Sequence, residues 1–363
     1  MNNKIENKHP ILDILKKNHE KEPIDIAKIQ NVARCGLYDV QDVERAYTWL
    51  ILTRSFPKYY HEWPSYSKEI VEAYRHILKK TEGLDGYAFK QIPSNEDIED
   101  FGLIHNDQMA IIHGDIIRST HRIYWLPIIE RNPDVSCDPL CLYHEHLRRM
   151  ERVLYIFSLQ KNLGYIQGYS ELAFPFYYVF LCGFAKGKHM SDDDSRLLSE
   201  DDLDLVEALT FHSLNNLVAG TQLRDMYKMD KYAGVEGLTR LFLLLVRKHV
   251  PVVADAIDQY SIHPFFSMKW FSIMFGQNAD LPTLCTLWDV IFSNFDNLLQ
   301  FLFYIGVAAI KQIGDIPEVH DRVLFLSLLQ NPRLDTNLKE IVNEAQRLYD
   351  EDMMDQEKKK KHM

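Results

Sequence analysis

Met150-Glu151-Arg152-Val153-Leu154-Tyr155-Ile156-Phe157 reads as helix. Met150, Val153, Leu154 and Phe157 recur at i, i+3, i+4 and i+7, which lines up one apolar stripe at the helical period. Gly164, a few residues on, suits the left-handed cap that ends such a helix. The same stripe returns at Leu238, Leu241, Phe242 and Leu245, where Pro251 sets the stop. It returns again at Trp270, Phe271, Met274 and Phe275 ahead of Gly276, and at Leu284, Leu287, Trp288 and Ile291. Alternating strands joined by Asn-Gly or Asp-Gly turns are missing; Asp85-Gly86 sits in a polar connection. The expected fold class is all-α.

With 363 residues the chain has room for one large domain or two. Apolar residues make up 46% and charged residues 26%, the balance of an ordinary soluble domain. A net charge of -11 argues against general nucleic-acid binding, which needs a basic face to track phosphates. The five cysteines, Cys35, Cys137, Cys141, Cys182 and Cys285, are odd in number. Met1 to Pro10 lacks the apolar stretch of a secretory signal, so reduced thiols and a cytoplasmic location are expected. The most apolar run, Leu172 to Phe184, is too short to span a bilayer and contains Pro175.

Polar breaks fall at Glu82 to Asp100 and at Lys186 to Asp204. The second carries Asp192-Asp193-Asp194 and Glu200-Asp201-Asp202, and reads as a solvated loop, with an acidic docking surface as the alternative. Glu357 to Met363 reads as a frayed end; its four lysines could instead touch an anionic membrane at ~1 kcal/mol each.

Two short segments carry chemistry. In Ile112-His113-Gly114-Asp115-Ile116-Ile117-Arg118, Asp115 and Arg118 share a helical face, while Ile112 and Ile116 would anchor the turn in the core. Alone, this pair reads as a surface ion pair worth roughly 0.2–0.5 kcal/mol. In Tyr165-Ile166-Gln167, flanked by Gly164 and Gly168, Tyr165 would pack while Gln167 points outward, as many loop glutamines do. Arg45 and Trp49 stand one helical turn apart and read as core packing.

In this order, Arg45-x-x-x-Trp49, Ile112-x-x-Asp115-x-x-Arg118 and Tyr165-x-Gln167 resemble the signature of TBC-domain proteins, which activate Rab-type small GTPases. Phe271 to Phe275 and Leu287 to Phe292 resemble later segments of that family, so the likeness runs from about Gly36 to about Ile316. It implies two all-helical subdomains forming a V. The implied domain covers 34–325, with the acidic insertion near 186–204, a helical lead-in over 1–33, and a C-terminal helix with a Lys-rich tail over 326–363. It implies that Arg118 is an arginine finger, a device worth on the order of 10³ to 10⁵ in rate. It implies that Gln167 positions the attacking water, with Asp115, Tyr165, Arg45 and Trp49 in support. No cofactor of its own is expected, since GTP and Mg²⁺ would belong to the partner, a Rab-type GTPase in its GTP state. Nucleic acid is not an expected partner, and membranes would be met peripherally, on endomembranes in vesicle traffic. The alternative implied by the same fold is a non-catalytic GTPase-binding adaptor or scaffold.

Small departures from the family pattern are Tyr169 where Met is usual, Gly114 and Ile117 inside the arginine segment, and Ser119 for Thr. Gly114 would loosen its turn by about 1 kcal/mol relative to Ala. Cys137, Cys141, His144 and His146 do not match a zinc spacing, because the two His lie only two apart. Gly183 to Lys188 is one residue short of a P-loop and is followed by His189 rather than Ser or Thr. Gly168-Tyr169-Ser170-Glu171-Leu172 lacks the second Gly of a nucleophile elbow, and Ser170 is expected to cap the next helix.

Overall fold

The computed structural model describes residues 9–17, 22–81, 83–87, 107–126, 143–160, 164–184, 199–227, 234–313, 321–332 and 334–361. Among these residues the structure is helical with no strand, so the all-α expectation holds. The chain divides into two compact units, Met1–Ile29 with Tyr38–Asn216, and Gln30–Leu37 with Leu217–Met363.

The helices run in order α1 (Pro10–Lys17), α2 (Ile26–Ala33), α3 (Asp42–Leu52), α4 (Trp63–Lys80), α5 (Asp107–Arg118), α6 (His144–Leu159), α7 (Tyr169–Phe184) and α8 (Glu200–Gly220). They continue with α9 (Val235–His249), α10 (Pro251–Gln259), α11 (Met268–Ser272), α12 (Leu281–Ser293), α13 (Leu298–Lys311), α14 (Arg322–Gln330) and α15 (Leu334–Lys361).

In the first unit α7 is the central helix. Its apolar run is buried nearly all round, as a helix without a polar face must be. It meets α3 so closely at Gly183 that an added Cβ would fall 2.6 Å from the Ala46 Cβ. Glycine there allows the approach, and Trp49 packs edge-on against Phe176 of α7, with centroids 5.5 Å apart. The buried Glu44 of α3 accepts from the Ile11 and Leu12 amides at 2.9 and 3.1 Å, holding the first turn of α1.

Charge is buried between α4, α6 and α8. The stripe of α6 is internal, as expected, yet the polar side of this helix is internal too. Glu207 of α8 accepts from Arg149 at 2.9 Å, from Arg152 at 2.6 Å and from Tyr74 at 2.7 Å. Arg149 also reaches Asp204 at 2.8 Å, and Arg75 of α4 meets Asp204 at 2.8 Å. The expected loop ending at Asp204 is therefore corrected over its last residues. Glu200, Asp201 and Asp202 form the first turn of α8, where negative charge suits the N-terminal dipole, and Arg75 also bonds Asp201. Residues 186–198 of that segment lie outside the described residues.

The second unit packs around α13, buried from Leu298 to Ile310 except at Gln300. Rings of Phe242 and Phe271 crowd Gly306, where a Cβ would lie 2.9 Å from Phe242 and 3.1 Å from Phe271, and Trp270 and Phe303 pack against those two rings. Three sequence expectations are corrected here. The helix carrying Trp270 and Phe271 stops at Ser272, because Met274 and Phe275 take positive φ of 48° and 61°, and the buried Trp288 indole bonds the Met274 carbonyl at 3.1 Å. In α9 the buried face is Val235, Thr239, Phe242 and Val246, while Leu241 and Leu244 are exposed. The Lys-rich end is helical through Lys361 rather than frayed. The α9 stop before Pro251 is as expected, with Pro251 opening α10.

Candidate functional site

Arg118 is the last residue of α5, where a cation suits the C-terminal dipole. Ile112 and Ile116 are fully buried and seat the helix, so the expected anchoring is present. The Arg118 side chain is 57% exposed and sits 3.4 Å from Asp115. The helix runs through Gly114 without a break, and a Cβ there would touch the Arg118 guanidinium at 3.5 Å.

Asp115 itself is buried, and most of its bonds go elsewhere. Its Oδ2 accepts from the Tyr165 hydroxyl, from the Gly168 amide at 2.8 Å and from the Ser170 hydroxyl at 3.0 Å. All three donors flank Gln167. One carboxylate thus ties the end of α5 to the turn ahead of α7. Burial first, and then the Asp115 charge, pushes the Tyr165 phenol far above its ordinary value, so it remains a protonated donor.

Gln167 is exposed in the turn between Gly164 at φ 62° and Gly168 at φ 104°. Both angles favour glycine, and at Gly168 the turn also presents its amide to Asp115. Tyr165 packs edge-on to Tyr169, which packs in turn on Phe157 of α6. Ser170 lies inside α7 and donates to Asp115, which corrects its expected role as a helix cap.

Behind this site His113 of α5 bonds the buried Glu151 at 2.6 Å, and Tyr87 and Arg148 bond the same carboxylate at 2.7 and 2.8 Å. Burial raises the Glu151 carboxyl, but the bonds from His113, Arg148 and Tyr87 outweigh it and hold the group below its ordinary value. This cluster fixes α5 on α6. Trp49 lies in the core against α7 and Arg45 is half-buried on the same helix, α3. Of the residues set aside as a poor zinc match, Cys137, Cys141 and the His144 side chain lie outside the described residues. His146 is buried against the Tyr177 hydroxyl at 2.8 Å.

Sequence reasoning missed Ser119, Gly168, Ser170 and Glu171 as parts of this network. Their only advance signal is the position of Gly168 and its neighbours beside Gln167, since the contacts cross some fifty residues of chain. What the geometry offers is one exposed guanidinium and one exposed amide, both steadied from below by a buried carboxylate.

Residues 140–315 match the family model described as the Rab-GTPase-TBC domain, a span that includes Tyr165 and Gln167 but not Arg118, Arg45 or Trp49. The fold is similar to the crystal structure of the Ypt/Rab-GAP domain of Gyp1p, with a TM-score of 0.68 at 19% identity, over 93% of this chain and 99% of that one. The human TBC1 domain family member 22A is 25% identical over 68% of this chain and 45% of its own length. The human TBC1 domain family member 22B is 30% identical over 60% of this chain and 42% of its own. The chain thus spans about half the length of the curated relatives it matches. Family model, relatives and fold thus agree with the resemblance to TBC-domain proteins read from the sequence.

Proposed function

We propose that this protein activates a GTP-loaded Rab-type small GTPase, with Arg118 and Gln167 entering the partner's nucleotide pocket. In that pocket water attacks the γ-phosphorus and GDP leaves with the β–γ bridging oxygen. The Arg118 guanidinium would stabilise negative charge developing on the phosphoryl oxygens. The Gln167 amide would orient the attacking water. Neither acts as a general base, so the contribution is positioning and electrostatics. Nucleotide and Mg²⁺ belong to the GTPase, and the protein would work in the cytoplasm, reaching endomembranes through that partner.

The observation that carries the reading is Asp115, a buried carboxylate bonded both to Arg118 and to the turn that presents Gln167. Single-turnover GTP hydrolysis by a panel of Rab-type GTPases tests it. Acceleration of one or a few, lost in Arg118→Ala and in Gln167→Ala, is the expected result. A folded protein that accelerates none across a broad panel would point instead to a GTPase-binding adaptor.

A further inference from the structure

Arg122 lies four residues past Arg118 and Glu171 lies four residues past Gln167. Their side chains meet. The Arg122 Nε donates to Glu171 Oε2 at 2.8 Å, with the two side chains only 1% and 3% exposed. Arg122 belongs to the short helical turn Thr120–Trp125 that follows α5, a turn pinned by the buried Ile123 and Leu126. Glu171 belongs to the first turn of α7. Between them, the Ser119 hydroxyl lies 3.1 Å from the Asp115 carbonyl oxygen, 3.2 Å from Ser170 Oγ and 3.4 Å from Glu171 Oε1.

A buried ion pair is a weak device for stability, since desolvation offsets most of its attraction. This one is weaker still. Among the described residues Arg122 Nη1 and Nη2 are buried without a hydrogen-bond partner, so the pair lacks the two-pronged geometry that makes arginine–carboxylate contacts strong. What such a pair supplies is direction, because a single charged bond between two elements fixes their register. Here the two elements are the ones that carry Arg118 and Gln167.

We propose that Arg122 and Glu171 form a positioning pair that sets the geometry between the arginine and glutamine fingers. The role rests on the function proposed above. Asp115 holds the two segments on their N-terminal side, at the fingers themselves, and the Arg122–Glu171 pair holds them one turn further on. With two separated ties, neither segment can pivot about the other.

The test is the double variant Arg122→Met/Glu171→Gln, which keeps side-chain volume and leaves no orphan charge. Two readouts separate positioning from folding. In GTP hydrolysis, kcat is expected to fall about 10-fold while KM for the GTPase stays within about 2-fold, a loss of the size small misplacements cause. In native-state hydrogen exchange, the Gly168 amide, which bonds Asp115, is expected to lose protection while amides in the middle of α7 keep theirs. Arg122→Lys, which keeps the charge, is expected to recover part of both. A double variant with unchanged kcat and unchanged Gly168 protection would overturn the pairing. Should the double variant fail to fold, Arg122→Lys with wild-type kcat and Gly168 protection would do the same. If the wild-type protein accelerates no GTPase, the proposed function fails while the exchange readout still decides whether the pair holds the turn.

Discussion

Asp115 and Glu207 are both buried carboxylates in the first unit, and each gathers donors from distant helices. The difference is where those donors end. Around Glu207 the partners Arg149, Arg152 and Tyr74 are themselves buried, so the charge is closed in on every side. Around Asp115 the donors lead outward, to an exposed Arg118 and to a turn that exposes Gln167. The same chemistry thus serves two purposes. A closed network holds helices together, and an open one presents exposed polar groups from a fixed base.

The sharpest way to break this contrast is to remove the outward-facing cation. Arg118→Ala is expected to lose 10³ to 10⁵ in GTPase acceleration, about 4–7 kcal/mol of transition-state stabilisation. Its unfolding free energy should stay within about 0.5 kcal/mol of wild type, because the side chain is mostly exposed. Urea titration beside the single-turnover assay checks both halves. Glu207→Ala is the converse. It leaves Arg149 and Arg152 as buried charges without this partner, which costs about 3–5 kcal/mol of stability. The part that remains folded should still accelerate the GTPase, so activity per folded molecule is the quantity to compare. Equal loss of intrinsic activity in both variants would erase the distinction between closed and open networks.

Asp115→Asn falls between the two. The amide oxygen would take the Oδ2 place and keep the bonds from Tyr165, Gly168 and Ser170, but the amide nitrogen would then face the Arg118 guanidinium, donor against donor, and the carboxylate charge would be gone. About 1–3 kcal/mol of stability should be lost, with a drop of about 10²-fold in acceleration as the Gln167 turn and Arg118 drift apart. A variant that loses stability and keeps full activity would show that Asp115 acts on folding alone.

Much of this was legible in the sequence, for reasons that also explain the rest. Arg118 and Asp115 share a helical face by spacing, and Ile112 and Ile116 mark the buried side, because these are local properties of one helix. That Asp115 would give its closer bonds to Tyr165, Gly168 and Ser170 was not legible, since nothing local couples residues fifty apart. The α6 stripe at Met150, Val153, Leu154 and Phe157 was correct but incomplete. Arg149 and Arg152 lie off that stripe, and it is α8 that pairs them inside, with Glu207 and Asp204. Periodicity also failed at Met274 and Phe275, whose apolar spacing fits a helix although their backbone turns left-handed to fill the core beside Trp288. At Leu241 and Leu244, apolar residues at helical spacing lie exposed while Thr239 is buried, bonding the Val235 carbonyl at 2.8 Å.

A third carboxylate extends the comparison to the surface. Glu344 of α15 meets Lys311 at 2.5 Å and Arg347 at 2.7 Å, but those partners are 45% and 48% exposed. The Arg347 bond foremost, then Lys311, outweighs desolvation and lowers the Glu344 carboxyl to about 2 from an ordinary 4.5. A folded-state pKa below the unfolded one means the group stabilises the protein above about pH 4.5, and that this contribution fades as pH falls toward 2. Solvent screening of half-exposed partners limits its worth to under about 1 kcal/mol. Glu344→Gln is therefore expected to lower the apparent Tm by about 1–2 °C at pH 7, with the gap to wild type closing as pH approaches 2. Added salt should narrow the gap at pH 7 as well, since the charges lie within reach of the ion atmosphere. A gap that persists at low pH, or one as large as that of Glu207→Ala, would mean that burial does not separate these carboxylates, and the contrast drawn for Asp115 and Glu207 would lose its physical basis.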